Sequence, residues 1–139
     1  MPNPIVDRSY TLAVTVVKLC TGPWADKLDL IRAQLFRAAT GCGANVEESQ
    51  AGESPRDFAH KLGIATKEAH ETRYWLRLAR DSGLLPAEVV QEPISLAEEV
   101  MELGHSIIAS TRLRQGLKTA VSVLVLASAA FAGYFLLEI

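Results

Sequence analysis

The sequence predicts an all-α protein, an up-and-down four-helix bundle over residues 1–115 with an extra apolar C-terminal helix over residues 116–139. Apolar residues recur every three or four positions in four successive segments, as they do on the buried face of a helix. Glycine, proline and serine separate these segments, which indicates short connections. The last segment contains 19 residues, Thr119 to Leu137, without a charge or a proline.

Composition is that of an ordinary globular domain except near the C-terminus. The 139 residues suffice for one domain, and most of the excess in the 49% apolar content follows Lys118. A formal charge of −2 argues against a general nucleic-acid binder, which needs many Lys and Arg residues. Cys20 and Cys42 form no metal-ligand pattern, so we expect reduced core residues. We also expect no signal peptide, since the N-terminus lacks the basic and apolar regions of one.

The first two helices are predicted over residues 5–20 and 25–48. The first helix ends before Thr21-Gly22-Pro23, because glycine permits a cap and proline ends the hydrogen-bond ladder. The second carries a seam, a row of core-facing residues spaced alternately three and four apart, which is typical of helices packed at a shallow angle. Its members are Leu28, Ile31, Leu35, Ala38, Cys42 and Asn45.

The third helix has the clearest boundaries in the sequence. Ser54 is a favoured N-cap residue, and Pro55 suits the first helical position. Ser82-Gly83 is expected to end the helix. The predicted seam of this helix is formed by Phe58, Leu62, Ala65, Ala69, Thr72, Leu76 and Ala79.

A connection over residues 84–93 precedes the fourth helix; it contains Pro86 and Pro93, with room for a short helical turn between them. This helix is predicted to begin near Ser95, where Glu98 three residues later would complete a capping box. Its seam is formed by Leu96, Val100, Leu103 and Ile107. Four helices joined by short loops favour an up-and-down bundle.

The apolar run, Thr119 to Leu137, is long enough to cross a membrane as a helix. At 1.5 Å per residue it extends about 28 Å, close to the roughly 30 Å of bilayer hydrocarbon. The alternative is a helix buried in an oligomer interface or continuing helix four along the bundle, since a segment apolar on every side needs lipid or protein all round it. The candidate membrane residues are Val121, Leu124, Leu126, Phe131, Tyr134 and Phe135.

Charge sets the expected orientation of that helix in a membrane. Arg112, Arg114 and Lys118 precede the apolar run, whereas only Glu138 follows it. Cations are retained on the cytoplasmic side of a membrane. We therefore expect a cytoplasmic bundle tethered to the inner face of the cell membrane.

An ordered series of short stretches resembles a known family. They are Gln34–Ala39, Ala44–Glu48, Asp57-Phe58, Lys61-Leu62, Ile64-Ala65, Lys67–Ala69, Glu71-Thr72, Tyr74–Leu76, Glu102-Leu103 and Ser106–Ile108. The series is similar to four-helix-bundle proteins first noticed as open reading frames in intervening sequences of bacterial large-subunit ribosomal RNA genes. The resemblance covers residues 9–113.

The resemblance implies a fold and an assembly rather than an activity. Family members form pentameric rings, so we expect a homo-oligomer and specifically a pentamer. A distant branch comprises accessory proteins of diversity-generating retroelements, which bind a reverse transcriptase and nucleic acid, and this adaptor role is the alternative function. Members of that branch are markedly basic, unlike this chain. Gly41-Cys42-Gly43, Ser49 and the apolar run also depart from the family pattern.

Polar residues of the second and third helices are candidates for an interaction site. Asn45 lies on a seam one turn before Glu48, and we interpret it as a buried amide that fixes helix register or caps a loop, rather than as part of a polar site. Glu68 and Glu71 share a helix face and are expected to form ion pairs, within or between subunits. Their expected partners are Arg37 and Arg73.

The third helix also carries candidate partner-binding residues. Arg73, Arg77 and Arg80 lie on one side, and residues 84–104 contain five Glu and no Lys or Arg, which favours complementary faces over a nucleic-acid groove. Tyr74-Trp75 suits either a protein interface or the core. We find no catalytic constellation, metal site or cofactor motif, so the sequence predicts a self-assembling interaction protein that is not an enzyme.

Overall fold

The computed structural model describes the backbone of residues 2–137 and the side chains of residues 2–134. Within these residues every regular element is helical, which confirms the all-α prediction. The helices are α1 (Pro4–Thr21), α2 (Arg32–Gln50), α3 (Pro55–Asp81) and α4 (Ala87–Leu137), and a 3₁₀ helix (Ala25–Leu28) lies between α1 and α2.

The four helices close into a bundle around one core. Helix α1 packs against α2 and α4, and α3 packs against the same two helices, so each helix has two neighbours. Short loops join successive helices, as an up-and-down bundle requires. Fully buried side chains from all four helices fill the core, among them Leu12, Val16, Leu35, Val46, Leu62, Leu76, Val90 and Val100.

The predicted boundaries of α3 are confirmed in atomic detail. The hydroxyl of Ser54 accepts a hydrogen bond from the backbone N–H of Asp57 at 3.1 Å, which satisfies a donor in the first turn. Pro55 opens the helix. After Asp81 the chain turns at Gly83, whose φ of 77° lies in the left-handed region that glycine adopts readily.

The predicted second helix is wrong in its first part. Residues 25–28 form a 3₁₀ helix, and α2 begins only at Arg32. The intervening turn is closed by a hydrogen bond from the N–H of Ile31 to the carbonyl of Leu28 at 2.8 Å. This turn buries Leu28 and Ile31, whereas Leu30 is 92% exposed. Leu28 and Ile31 therefore face the core as the seam predicted, although this segment is not α-helical.

The predicted start of the fourth helix is also wrong. Helix α4 begins at Ala87 and continues through Pro93, and Ser95 lies within it rather than at its N-cap. A proline inside a helix removes one backbone hydrogen bond. Pro93 is fully buried, and its packing in the core offsets this cost. The same helix continues without a break into the apolar run.

Candidate interaction surfaces

Helices α2 and α3 are joined by a charged cluster around Arg37. The guanidinium Nη2 lies 2.7 Å from Oε1 of Glu71, and Nη1 lies 3.9 Å from Oε1 of Glu68. The same Glu71 oxygen accepts a hydrogen bond from the indole N–H of Trp75 at 3.2 Å. These four predicted interface residues therefore contact one another within one chain.

Ion pairs also connect α4 to its neighbours. Arg73 on α3 lies 3.5 Å from Glu98, so it pairs with α4 and not with Glu68 or Glu71, as it was also expected to do. Arg8 on α1 lies 2.8 Å from Glu99. The basic α3 and the acidic first part of α4 thus complement each other inside the bundle. Arg80 pairs with the adjacent Asp81 at 2.7 Å. Of the three arginines predicted on one side of α3, only Arg77 forms no salt bridge among the described residues.

An outer stripe of α3 lies on the surface of the bundle, beside α4. We define it by His70, Tyr74, Arg77 and Leu78, which line a shallow groove of about 310 Å³ together with Arg73 and Asp81. Tyr74 is 57% exposed and Leu78 38% exposed, whereas the neighbouring Trp75 is half-buried. The Tyr74-Trp75 pair is thus divided between the surface and the core boundary.

Asn45 has a more local role than predicted. It is half-buried, and its side-chain amide donates to the carbonyl of Gly41 in its own helix at 2.9 Å. It neither fixes register across helices nor caps a loop, and Val46 fills the core beside it. Glu48 pairs instead with Lys61 on α3 at 2.6 Å. The structure therefore does not join Asn45 and Glu48 in one polar site.

Two polar groups are buried between α2 and α3. One carboxylate oxygen of Glu68, Oε2, is buried without a hydrogen-bond partner among the described atoms. Burial, aided by the negative charge of Glu68, raises the pKa of the Cys42 thiol to about 12. Cys42 forms no disulfide. Because its pKa is raised, the thiol stays protonated at neutral pH.

Sequence spacing did not reveal a contact between two histidines. The rings of His70 on α3 and His105 on α4 lie 5.5 Å apart between centroids. Burial, with smaller contributions from Arg73 and His105, lowers the pKa of His70. Within residues 2–134 no group of three or more His, Cys, Asp or Glu side chains is arranged to hold a metal ion.

The apolar run of α4 is uncovered. Its described side chains are exposed, including five predicted membrane residues: Val121 (59%), Leu124 (67%), Leu126 (69%), Phe131 (73%) and Tyr134 (63%). The most apolar 18-residue window of α4 has a mean hydropathy of 1.6 and no buried residue. The side chain of Phe135, the sixth predicted membrane residue, lies outside the described set.

These features define a four-helix-bundle protein whose last helix continues as an exposed apolar rod. The chain belongs to the 23S rRNA-intervening sequence protein family, whose sequence model matches residues 2–106. The match ends within α4, so the apolar run lies beyond it.

A solved structure supports this assignment. It is a protein of unknown function from the S23 ribosomal protein family of Bacteroides thetaiotaomicron, with 32% sequence identity and a TM-score of 0.67. The similarity covers 75% of this chain and 97% of that one. A comparison with functionally curated proteins finds no match.

Proposed function

We propose that this protein is a non-enzymatic interaction scaffold, whose bundle assembles with copies of itself and whose apolar run anchors it to the cytoplasmic face of a membrane. The observation that carries the proposal is the apolar run that begins at Thr119, whose side chains are exposed as far as Tyr134, the last one that the structure describes. No residue in its most apolar window is buried by the bundle. An apolar surface of this size is unfavourable in water and needs a cover.

A membrane covers this surface better than another protein helix does. Valine, leucine and phenylalanine occur on all sides of the run, and the exposed fractions of Val121, Val123, Leu124 and Val125 are all between 59% and 67%. A helix pair buries only a stripe of each partner, whereas lipid surrounds a helix. The cations at 112, 114 and 118 favour a cytoplasmic bundle.

Self-assembly is supported by two unused surfaces of the bundle. The outer stripe of α3 offers Arg77 beside the exposed Tyr74 and Leu78. The first turns of α4 offer Glu88 and Glu92, which form no salt bridge among the described residues. These surfaces lie on different helices and have opposite charge, so a head-to-tail contact between copies is complementary and closes a ring if the rotation allows. The family resemblance predicts five subunits.

Two arginine substitutions test the anchor. Leu124→Arg combined with Ser128→Arg places two charges in the apolar run, each costing about 2.5–3.5 kcal/mol near the membrane centre. We expect the full-length wild type to stay in the membrane pellet after alkaline carbonate washing, and the double variant to appear in the supernatant. Cells expressing each variant are fractionated and the protein is quantified by immunoblotting.

The matched control makes the same chemical change on the bundle side of the run. Leu113→Arg combined with Ser110→Arg alters one leucine and one serine of α4, both exposed. This variant should remain in the pellet, because both positions precede the apolar run. Release of the wild type by carbonate, or equal release of both double variants, would contradict the proposed anchor.

A further inference from the structure

A groove lies where α4 leaves the bundle. The start of α3 forms one wall with Pro55 and Phe58. Helix α4 forms the other with Thr111, Arg114, Gln115 and Lys118. The cavity has a volume of about 340 Å³, enough for a small polar group with an apolar neighbour.

The two cations in this groove have no partner among the described residues. Arg114 and Lys118 lie one helical turn apart, are exposed, and form no salt bridge within residues 2–134. Four cations of the bundle, by contrast, pair with a glutamate on a neighbouring helix: Arg8, Arg37, Lys61 and Arg73.

The acidic residue nearest in sequence to the α3 wall does not neutralise the groove. The carboxylate of Asp57 lies beside the backbone of Gly52 and is not part of the lining. The groove is therefore positive on its α4 side and apolar at Phe58, which is half-buried against the core. This combination suits an amphipathic anion rather than an apolar peptide.

The two cations of the groove are spaced along α4 by a distance that fits within a lipid headgroup layer. Lys118 is the last charged residue before the apolar run, and Arg114 lies about 6 Å further from that run along the helix. The headgroup region of each leaflet is roughly 5–8 Å thick, half the difference between the total and hydrocarbon thicknesses. If Thr119 enters the hydrocarbon, both cations lie at the level of lipid phosphates.

We propose that this groove binds the headgroup of an anionic phospholipid from the leaflet that α4 enters. The phosphate lies between Arg114 and Lys118, Gln115 offers its amide to a headgroup hydroxyl, and Phe58 contacts the glycerol and the first acyl carbons. This inference rests on the proposed membrane anchor. It adds a preference for negatively charged lipid that an apolar helix alone does not have.

Native mass spectrometry of the full chain in detergent tests the inference. The protein receives equal amounts of phosphatidylglycerol and phosphatidylcholine, and the bound lipid is counted. We expect wild type to retain phosphatidylglycerol preferentially. The preference should fall about fivefold in Arg114→Gln or Lys118→Gln and about 30-fold in the double variant, because each cation contributes about 1 kcal/mol to anionic-lipid binding.

Arg112→Gln is the matched control, since Arg112 is on the same helix but does not line the groove. Its preference should change much less than that of Lys118→Gln, because the Arg112 side chain does not face the proposed phosphate position. Equal retention of both lipids by wild type, or an equal loss in Arg112→Gln and Lys118→Gln, overturns the inference. Displacement of the lipid by an equal concentration of inorganic phosphate also overturns it, because the groove would then be a general anion site.

The carbonate extraction distinguishes failure of the proposed membrane anchor from failure of the proposed lipid groove. A chain released from membranes by carbonate contradicts the anchor itself. A chain that remains in membranes but lacks headgroup preference contradicts only the lipid groove.

Discussion

Gly104 of α4 lies so close to the hydroxyl of Thr66 on α3 that a Cβ atom at position 104 would overlap it. Thr66 cannot easily move away, because it is 4% exposed and its hydroxyl donates to the carbonyl of Leu62 at 2.8 Å. The two residues therefore mark a point where α3 and α4 approach each other closely.

Gly104→Ala should destabilise the bundle despite the higher helix propensity of alanine. Overpacking costs about 1–3 kcal/mol, whereas the propensity gain is at most about 1 kcal/mol. Urea unfolding followed by circular dichroism measures the difference. Thr66→Ala combined with Gly104→Ala should recover part of the loss, because the overlapping hydroxyl is gone.

Gly63→Ala provides the control for that experiment. Gly63 lies within α3, and a Cβ atom there meets nothing within 4 Å. This substitution should raise the free energy of unfolding by up to about 1 kcal/mol. Equal stability of the Gly104→Ala and Gly63→Ala variants would show that α3 and α4 are not in close contact at this point.

The buried Cys42 predicts a loss of stability in alkali. Its folded pKa of about 12 exceeds the ordinary value of 9.0, so above pH 9 the unfolded chain releases a proton that the folded chain keeps. The free energy of unfolding then falls as pH rises, and at pH 10 this thiol accounts for about 1 kcal/mol.

Unfolding experiments at pH 8 and pH 10 isolate this effect when wild type is compared with Cys42→Ala. The variant should lose about 1 kcal/mol less than wild type over that interval. Rapid alkylation of Cys42 in the folded protein at pH 8, or identical pH dependence of the two proteins, would contradict the burial of the thiol.

Charge reversal tests the proposed contact between subunits. Arg77→Glu and Glu92→Arg should each weaken self-association about tenfold or more, because like charges then face each other across the contact. The combined variant should restore it. Light scattering over a concentration series measures the effect, and Lys18→Glu on the exposed side of α1 should leave it unchanged. Loss of assembly in the combined variant would exclude this pairing while leaving assembly through another face open to test.

The sequence was most informative where one local motif decides the structure. Ser54 and Pro55 fix the start of α3, and Gly83 follows its end, because caps and turns depend on adjacent residues. The start of α4 was predicted wrongly because of Pro93. Judged from adjacent residues alone, a proline marks a helix boundary. The burial of Pro93 in the core is a tertiary effect that spacing does not reveal.

Contacts between helices were predictable only in part. The ion pairing of Arg37 with Glu71 follows from charge and helix face, and it was predicted. The approach of His70 to His105 was missed, because it depends on the axial alignment of α3 and α4. The division of Tyr74 and Trp75 between solvent and core depends on where the neighbouring helices lie beside the seam of α3, which the spacing of apolar residues does not specify.

We propose that the bundle associates with copies of itself and that the apolar run only anchors the protein to a membrane. The molar mass of residues 2–115 in solution tests this claim most directly. The core of the bundle ends at Ile108, so this fragment retains all of it. Size exclusion with light scattering should give a soluble species of several subunits, five by resemblance to the family. A monomer at every concentration would contradict assembly through the bundle and leave the apolar run as the source of any oligomer.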